Sequence, residues 1–164
     1  SRFARLVEAP GEDAAHWNRE TAPLRDSFLA RAQRPGGGPL TFDGTGWSMK
    51  YNLVWDEILG LGLLPREYYA QEMGSYPGRM NRYGLPLDSR RSYTKSDWEL
   101  WIATMAQSKE EFRRFIAPIA SYLRETDSRV PFSDWYDTVT GKYEHFIARA
   151  VQGGLYMPML KHWK

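Results

Sequence analysis

Tyr83-Gly84-Leu85-Pro86-Leu87-Asp88-Ser89-Arg90-Arg91-Ser92-Tyr93-Thr94-Lys95-Ser96-Asp97-Trp98-Glu99-Leu100-Trp101 is a polar loop that turns into an apolar helix. Gly84 and Pro86 cannot both sit inside one regular element, so the stretch begins irregular. Trp98, Trp101, Ile102 and Met105 then recur at the spacing of one helical face. Thr94 with Asp97, and Ser96 with Glu99, both have the spacing of a capping box, so two residues compete to start that helix. Asp88, Asp97, Arg90, Arg91, Lys95 and Tyr93 therefore gather around a helix N-terminus, where exposed N–H groups favour anions. A loop this polar and this long usually carries function.

Working outward, the rest of the chain is helical in pattern. Phe3, Leu6 and Val7 end a first helix at Pro10-Gly11. Trp17, Thr21, Leu24 and Phe28 share a side of a second, with Pro23 kinking or restarting it. Arg34 to Pro39 is a glycine-rich crossing without the Lys-Ser/Thr of a phosphate-binding loop. Trp47, Tyr51, Val54, Trp55 and Ile58 mark an amphipathic helix stopped by Gly60 and Gly62; Asn52 and Asp56 on its flank either lock the helix to its neighbour or face a pocket. Pro65 opens the next helix, whose Tyr68 and Tyr69, with Tyr76 just beyond it, form an aromatic wall. Ser108 and Glu111 cap a helix carrying Phe112, Phe115, Ile116, Ile119 and Leu123 as a core stripe. Val130 to Thr138 is a second polar loop, and short strands are expected around the turn at Thr140-Gly141. Val151 to Trp163 closes the chain as a helix kinked at Pro158. The fold class is all-α: six or seven helices, with a small β-hairpin expected near Thr140, in one domain over residues 1–164.

Composition narrows the chemistry. A net charge of +2 leaves no electrostatic footprint for nucleic acid or an anionic membrane. No apolar run approaches the ~20 residues of a membrane helix. Zero cysteines exclude disulfides, thiolate metal sites and thiol nucleophiles. His16, His145 and His162 are isolated, so no metal is expected, and no motif calls for a cofactor. Ser92-Tyr93-Thr94-Lys95 matches a Ser-x-x-Lys pattern, but its companion motifs and any Gly-x-Ser-x-Gly elbow are missing.

The carboxylates are the better candidates. Hydrolysis needs one group to take a proton from water and one to protonate the leaving group. Asp88, Asp97, Asp134 and Asp137 all lie on loops or a helix start, and Trp98 and Trp135 stand beside two of them. An aromatic neighbour lowers the local dielectric and raises a carboxyl pKa, as an acid requires.

Trp47 to Asp56, Tyr83 to Arg90, Tyr93 to Trp98 and Pro131 to Thr138, taken together, resemble the C-terminal domain of the glutaminase A family. Phe146 to Gly154 is similar to that family's closing motif, with Ala150 where proline is expected. The resemblance runs from about Gly44 to Gly154. It implies hydrolysis of the glutamine side-chain amide by an exported enzyme, secreted or periplasmic, built as a toroid of six helical hairpins. The resemblance itself assigns no residue; for such a hydrolysis the carboxylate loops lead us to expect that one of Asp88 or Asp97 activates water and that Asp134 or Asp137 protonates the departing ammonia. Arg90 and Lys95 are expected to hold the substrate carboxylate, with Tyr93, Trp98 and Trp135 lining the cleft. At ~11 residues per helix and ~5 per connection, twelve helices need about 190 residues, so this chain is expected to form about half a ring. The uncovered aromatic faces are then expected to pack on a missing N-terminal part of the same protein or on another chain. Two alternatives stand beside this reading. One is a glycoside hydrolase of the same architecture, with a sugar as substrate; the other is a non-catalytic binding or assembly domain.

Overall fold

The computed structural model describes residues 14–32, 45–127, 132–145, 147, 149–150 and 152–162. Six α-helices and one short antiparallel sheet occur among them. The expected helix end at Phe3–Val7, the Arg34–Pro39 crossing, and Trp163 lie outside the described residues, as do Phe146, Ala148 and Val151 of the closing motif.

Helix α1 (Ala14–Ala32) continues through Pro23. Its expected apolar side is open: Trp17 and Leu24 are exposed, while Phe28 packs edge-on against Tyr68 with ring centroids 5.5 Å apart. Trp47 falls outside the next helix. Ser48 instead bridges Asp88, and the Met49 N–H donates to the Leu87 carbonyl, so this segment is extended. A 3-10 turn (Tyr51–Leu53) then leads into α2 (Val54–Leu59), which ends on Gly60 in the left-handed conformation. Asp56 is buried and accepts from the Leu63 and Leu64 N–H groups and the Tyr69 hydroxyl, tying the turn after α2 to α3 (Arg66–Ser75). The locking role thus belongs to Asp56 through backbone and tyrosine.

The tyrosine wall of α3 is core. Tyr68, Tyr69 and Tyr76 are all buried, and the hydroxyls of Tyr68 and Tyr76 donate to the buried carboxylate of Glu72. A tyrosine can be interior when its hydroxyl finds a partner, and the i, i+4 spacing from Glu72 supplies one.

Strand β1 (Tyr93–Lys95) runs directly into α4 (Ser96–Thr104). Neither expected capping box forms. Thr94 is paired opposite Tyr136 in the sheet, Ser96 turns its hydroxyl to Tyr156, and Lys95 occupies the cap position without a side-chain cap bond. Leu100, Trp101, Ile102 and Ala103 are buried on every side of α4, which marks a central helix. It packs on α5 (Lys109–Glu125), on α2 and the 3-10 turn before it, and on a C-terminal 3-10 turn (Met157–His162). Ser108 caps α5 by accepting from the Glu111 N–H, and Glu111 answers at Gln107. The buried stripe of α5 is Phe115, Ile119 and Tyr122, and Leu123 faces outward.

Strand β2 (Trp135–Asp137) pairs antiparallel with β1, with Tyr93 opposite Asp137 and Lys95 opposite Trp135. After the turn at Gly141, Tyr143 bridges back to Tyr136, so the expected hairpin is present and β1 adds a further partner. The chain closes with α6 (Gln152–Leu155) and the 3-10 turn in place of one long helix. A second core gathers Tyr83, Tyr122 and Tyr136, the last two stacked with centroids 3.5 Å apart.

Between the cores lies Glu99, fully buried. Its carboxylate accepts from the Leu85 N–H and, at 2.6 Å, from the Tyr136 hydroxyl, which also donates to the Tyr83 carbonyl. Burial pushes its pKa up to about 8, against those two hydrogen bonds. Gly84 sits on top of it with φ +142°, and any Cβ there would collide with the carboxylate.

Candidate functional site

The two polar loops meet around α4, but they make two different environments that share Trp98. The first is an open pocket of about 480 Å³. Tyr51 and Trp98, stacked with centroids 4.1 Å apart, form its aromatic floor, and Phe28, Met49, Lys50 and Asp88 are among its walls. Asp88 is fixed by the bridge to Ser48 and by Arg90, which donates to it from the backbone N–H, from Nε at 3.0 Å and from Nη2 at 2.6 Å. The side-chain hydrogen bond from Arg90 holds the Asp88 carboxyl below its usual pKa, with burial opposing. Lys50 donates from Nζ to the Ser48 carbonyl at 2.9 Å and to its hydroxyl at 3.2 Å. Burial lowers its pKa, and the charge of Glu72 opposes that.

The second environment is closed. Lys95, Asp97 and Asp134 are 6%, 2% and 1% exposed, nearly closed off from solvent. Lys95 Nζ lies 3.2 Å from Asp134 Oδ2, and Arg149 Nη1 lies 2.8 Å from the same oxygen. The Lys95 ammonium also sits over the rings of Trp98 at 4.8 Å and Trp135 at 5.6 Å. Asp97 is raised in pKa by burial, with Lys95 opposing and Asp134 adding to the rise. One oxygen each of Asp97 and Asp134 has no hydrogen-bond partner among the described residues. Ser96, Gln152 and Tyr156 close the edge: Ser96 and Tyr156 hydroxyls are 2.6 Å apart, and Gln152 Nε2 donates to both. Burial pushes the Tyr156 hydroxyl up to about 12.

The nine sequence-predicted residues therefore separate. Asp88, Arg90 and Trp98 line the pocket. Lys95, Asp97, Asp134 and Trp135 belong to the buried cluster, where Lys95 faces Asp134 and not the pocket. Tyr93 packs edge-on against Trp135 at 5.5 Å. Asp137 stands apart, accepting from the Val139 and Thr140 N–H groups and the Ser92 hydroxyl. Burial pushes Asp137 up, but these bonds prevail and hold its pKa low, which suits a turn anchor. Ser92 and Lys95, the Ser-x-x-Lys pair, serve different aspartates. Lys50 and Arg149 both lie inside recognisable motifs yet carry no spacing signal of their own. Among the described residues no group of three or more His, Asp or Glu is placed to hold a metal ion, and no helix is long and apolar enough to cross a membrane.

Residues 26–159 match the family model described as the glutaminase A six helical-hairpin domain. The chain is 43% identical over 109 residues to a protein named Glutaminase A from Aspergillus oryzae, covering 65% of this chain and 16% of that protein. It is 40% identical over 97 residues to a protein named as a probable glutaminase from Arthroderma benhamiae, covering 57% of this chain and 11% of that one. The chain thus spans less than a fifth of the length of these curated relatives. No solved structure matches it. With the match extending from within α1 to the C-terminal 3-10 turn, the chain belongs to the glutaminase A six helical-hairpin domain family.

Proposed function

We propose that this domain supplies one wall of the active site of a glutaminase A-type hydrolase, which releases ammonia from the side-chain amide of glutamine. The observation that carries the reading is Asp88: a carboxylate held ionised by Arg90, at the rim of an aromatic-floored pocket. In the reaction, Asp88 takes a proton from water as the water oxygen attacks the amide carbon. The same proton passes to the amide nitrogen as the C–N bond breaks, leaving a carboxylic acid and ammonia. The tight Arg90 pair favours proton return, because a carboxylic acid of low pKa releases its proton readily. The rest of the protein, folded as the remainder of a ring, covers the open aromatic rim and completes the cleft; export to the outside of the cell belongs to the same proposal. Ammonia release from L-glutamine, set against sugar release from aryl glycosides, separates this reading from a glycosidase.

A second reading is favoured by the raised pKa of Asp97 and its unpartnered oxygen. There Asp97 is the acid, and the ion-paired Asp134 accepts the proton from a water that enters when the closed cluster opens, the reverse of the roles expected from sequence. Replacing Asp97 by Asn would abolish turnover at unchanged stability under this reading. Under the first it changes stability and leaves the chemistry in place.

A further inference from the structure

The pocket at the start of the Tyr51–Leu53 turn holds three charged side chains, and two of them are spoken for by each other. Arg90 lies on Asp88. Lys95, which the sequence offered as a carboxylate binder, is buried on Asp134. Lys50 is different. Its Nζ donates to the Ser48 carbonyl and hydroxyl, which engages two of three N–H donors, and no carboxylate forms an ion pair with it among the described residues. The acid whose charge reaches it, Glu72, is already engaged by the Tyr68 and Tyr76 hydroxyls. The two Ser48 bonds fix the ammonium in place, so little side-chain freedom remains to be lost when a ligand binds.

We propose that Lys50 anchors the α-carboxylate of a free amino acid in this pocket, with the ligand's side chain laid along the Tyr51–Trp98 stack toward Asp88. The inference rests on the hydrolase reading above and specifies its substrate as an amino acid with an unblocked carboxylate. Lys50, Arg90 and Asp88 together leave the pocket one positive charge in excess, which a carboxylate neutralises and a neutral sugar does not. The partly buried position strengthens that attraction over its value in water.

The test is equilibrium titration of the intact protein, followed by Trp fluorescence and calorimetry, with L-norleucine and with its α-amide. Norleucine approximates the length of glutamine and has no bond to hydrolyse, so binding is read independently of turnover. Wild type is expected to bind the acid at least about tenfold tighter than the amide, the worth of one charge-assisted hydrogen bond. Lys50→Met should bring acid binding down to the level of the amide without weakening the amide further, and Lys50→Arg should keep the preference for the acid. Equal binding of acid and amide by wild type, no binding of either, or a parallel loss of both in Lys50→Met would overturn the anchor. If Lys50→Met fails to fold, equal binding of acid and amide by wild type, or loss of the preference in Lys50→Arg, still overturns the anchor. Glutamine turnover by a protein that fails this test would leave the hydrolase reading standing and the anchor refuted.

Discussion

Glu99→Gln is a substitution whose sign runs against intuition. The carboxyl is fully buried, and burial moves its pKa from an ordinary 4.5 to about 8. Between those values the folded chain holds a proton that the unfolded chain has released. Stability contributed by this group is therefore fully present below pH 4.5 and is lost as pH rises toward 8. The loss approaches ~1.4 kcal/mol per pH unit, or ~3 kcal/mol by about pH 7. Glutamine reproduces the protonated form. Its Oε1 accepts from the Leu85 N–H, its Nε2 donates to the Tyr136 oxygen, and the Tyr136 hydroxyl still donates to the Tyr83 carbonyl. Every existing hydrogen bond of the clasp is kept, and the second Nε2 hydrogen is the one donor left over. Urea unfolding of wild type and variant at about pH 5 and about pH 7.5 reads the difference. The two should be nearly equal at the lower pH, and the variant should be the more stable at the higher. A variant less stable than wild type by the same amount at both values would refute the reasoning, since it would mean that the ionised carboxylate holds the clasp together.

Two further outcomes follow from the same interior. Gly84→Ala places a Cβ against the Glu99 carboxylate at φ +142° and should cost about 3 kcal/mol, read as a lowered urea midpoint. Lys95→Met removes one of the two cations facing the buried Asp134 and should cost about 2–3 kcal/mol, at the low end for a broken buried pair because Arg149 remains. A loss below about 0.5 kcal/mol would place that pair among the weak surface type.

What the sequence disclosed, and what it did not, has physical causes. The helix after Tyr93 was legible because Trp98, Trp101 and Ile102 share a face, and a 3.6-residue period needs no tertiary information. Its cap was not legible. Thr94 and Ser96 have the composition of caps, but both are drawn into long-range bonds, one in the sheet with β2 and one with Tyr156. The sheet itself joins residues forty or more apart through two three-residue strands, too short for an alternating pattern. The tyrosines of α3 looked like a wall because the pattern shows their size, while the buried acid that satisfies Tyr68 and Tyr76 lies one turn away and reads as surface charge. At the site, the loops that carry Asp88 and Asp134 stood out by composition. Composition could not say that Trp98 separates an open pocket from a closed ion-pair cluster, because that division depends on which carboxylate the fold covers.

The most direct measurement is steady-state ammonia release from L-glutamine by the intact protein and by its Asp88→Asn variant, with the urea midpoint of each. The amide oxygen introduced in place of the carboxylate can still accept from the Arg90 N–H, so the loop geometry has what it needs to persist. The expected result is a fall in kcat of about a hundredfold or more, the contribution of a positioned proton carrier, at a nearly unchanged midpoint. Turnover by the variant at the wild-type rate would contradict the assignment of Asp88 as the reacting carboxylate.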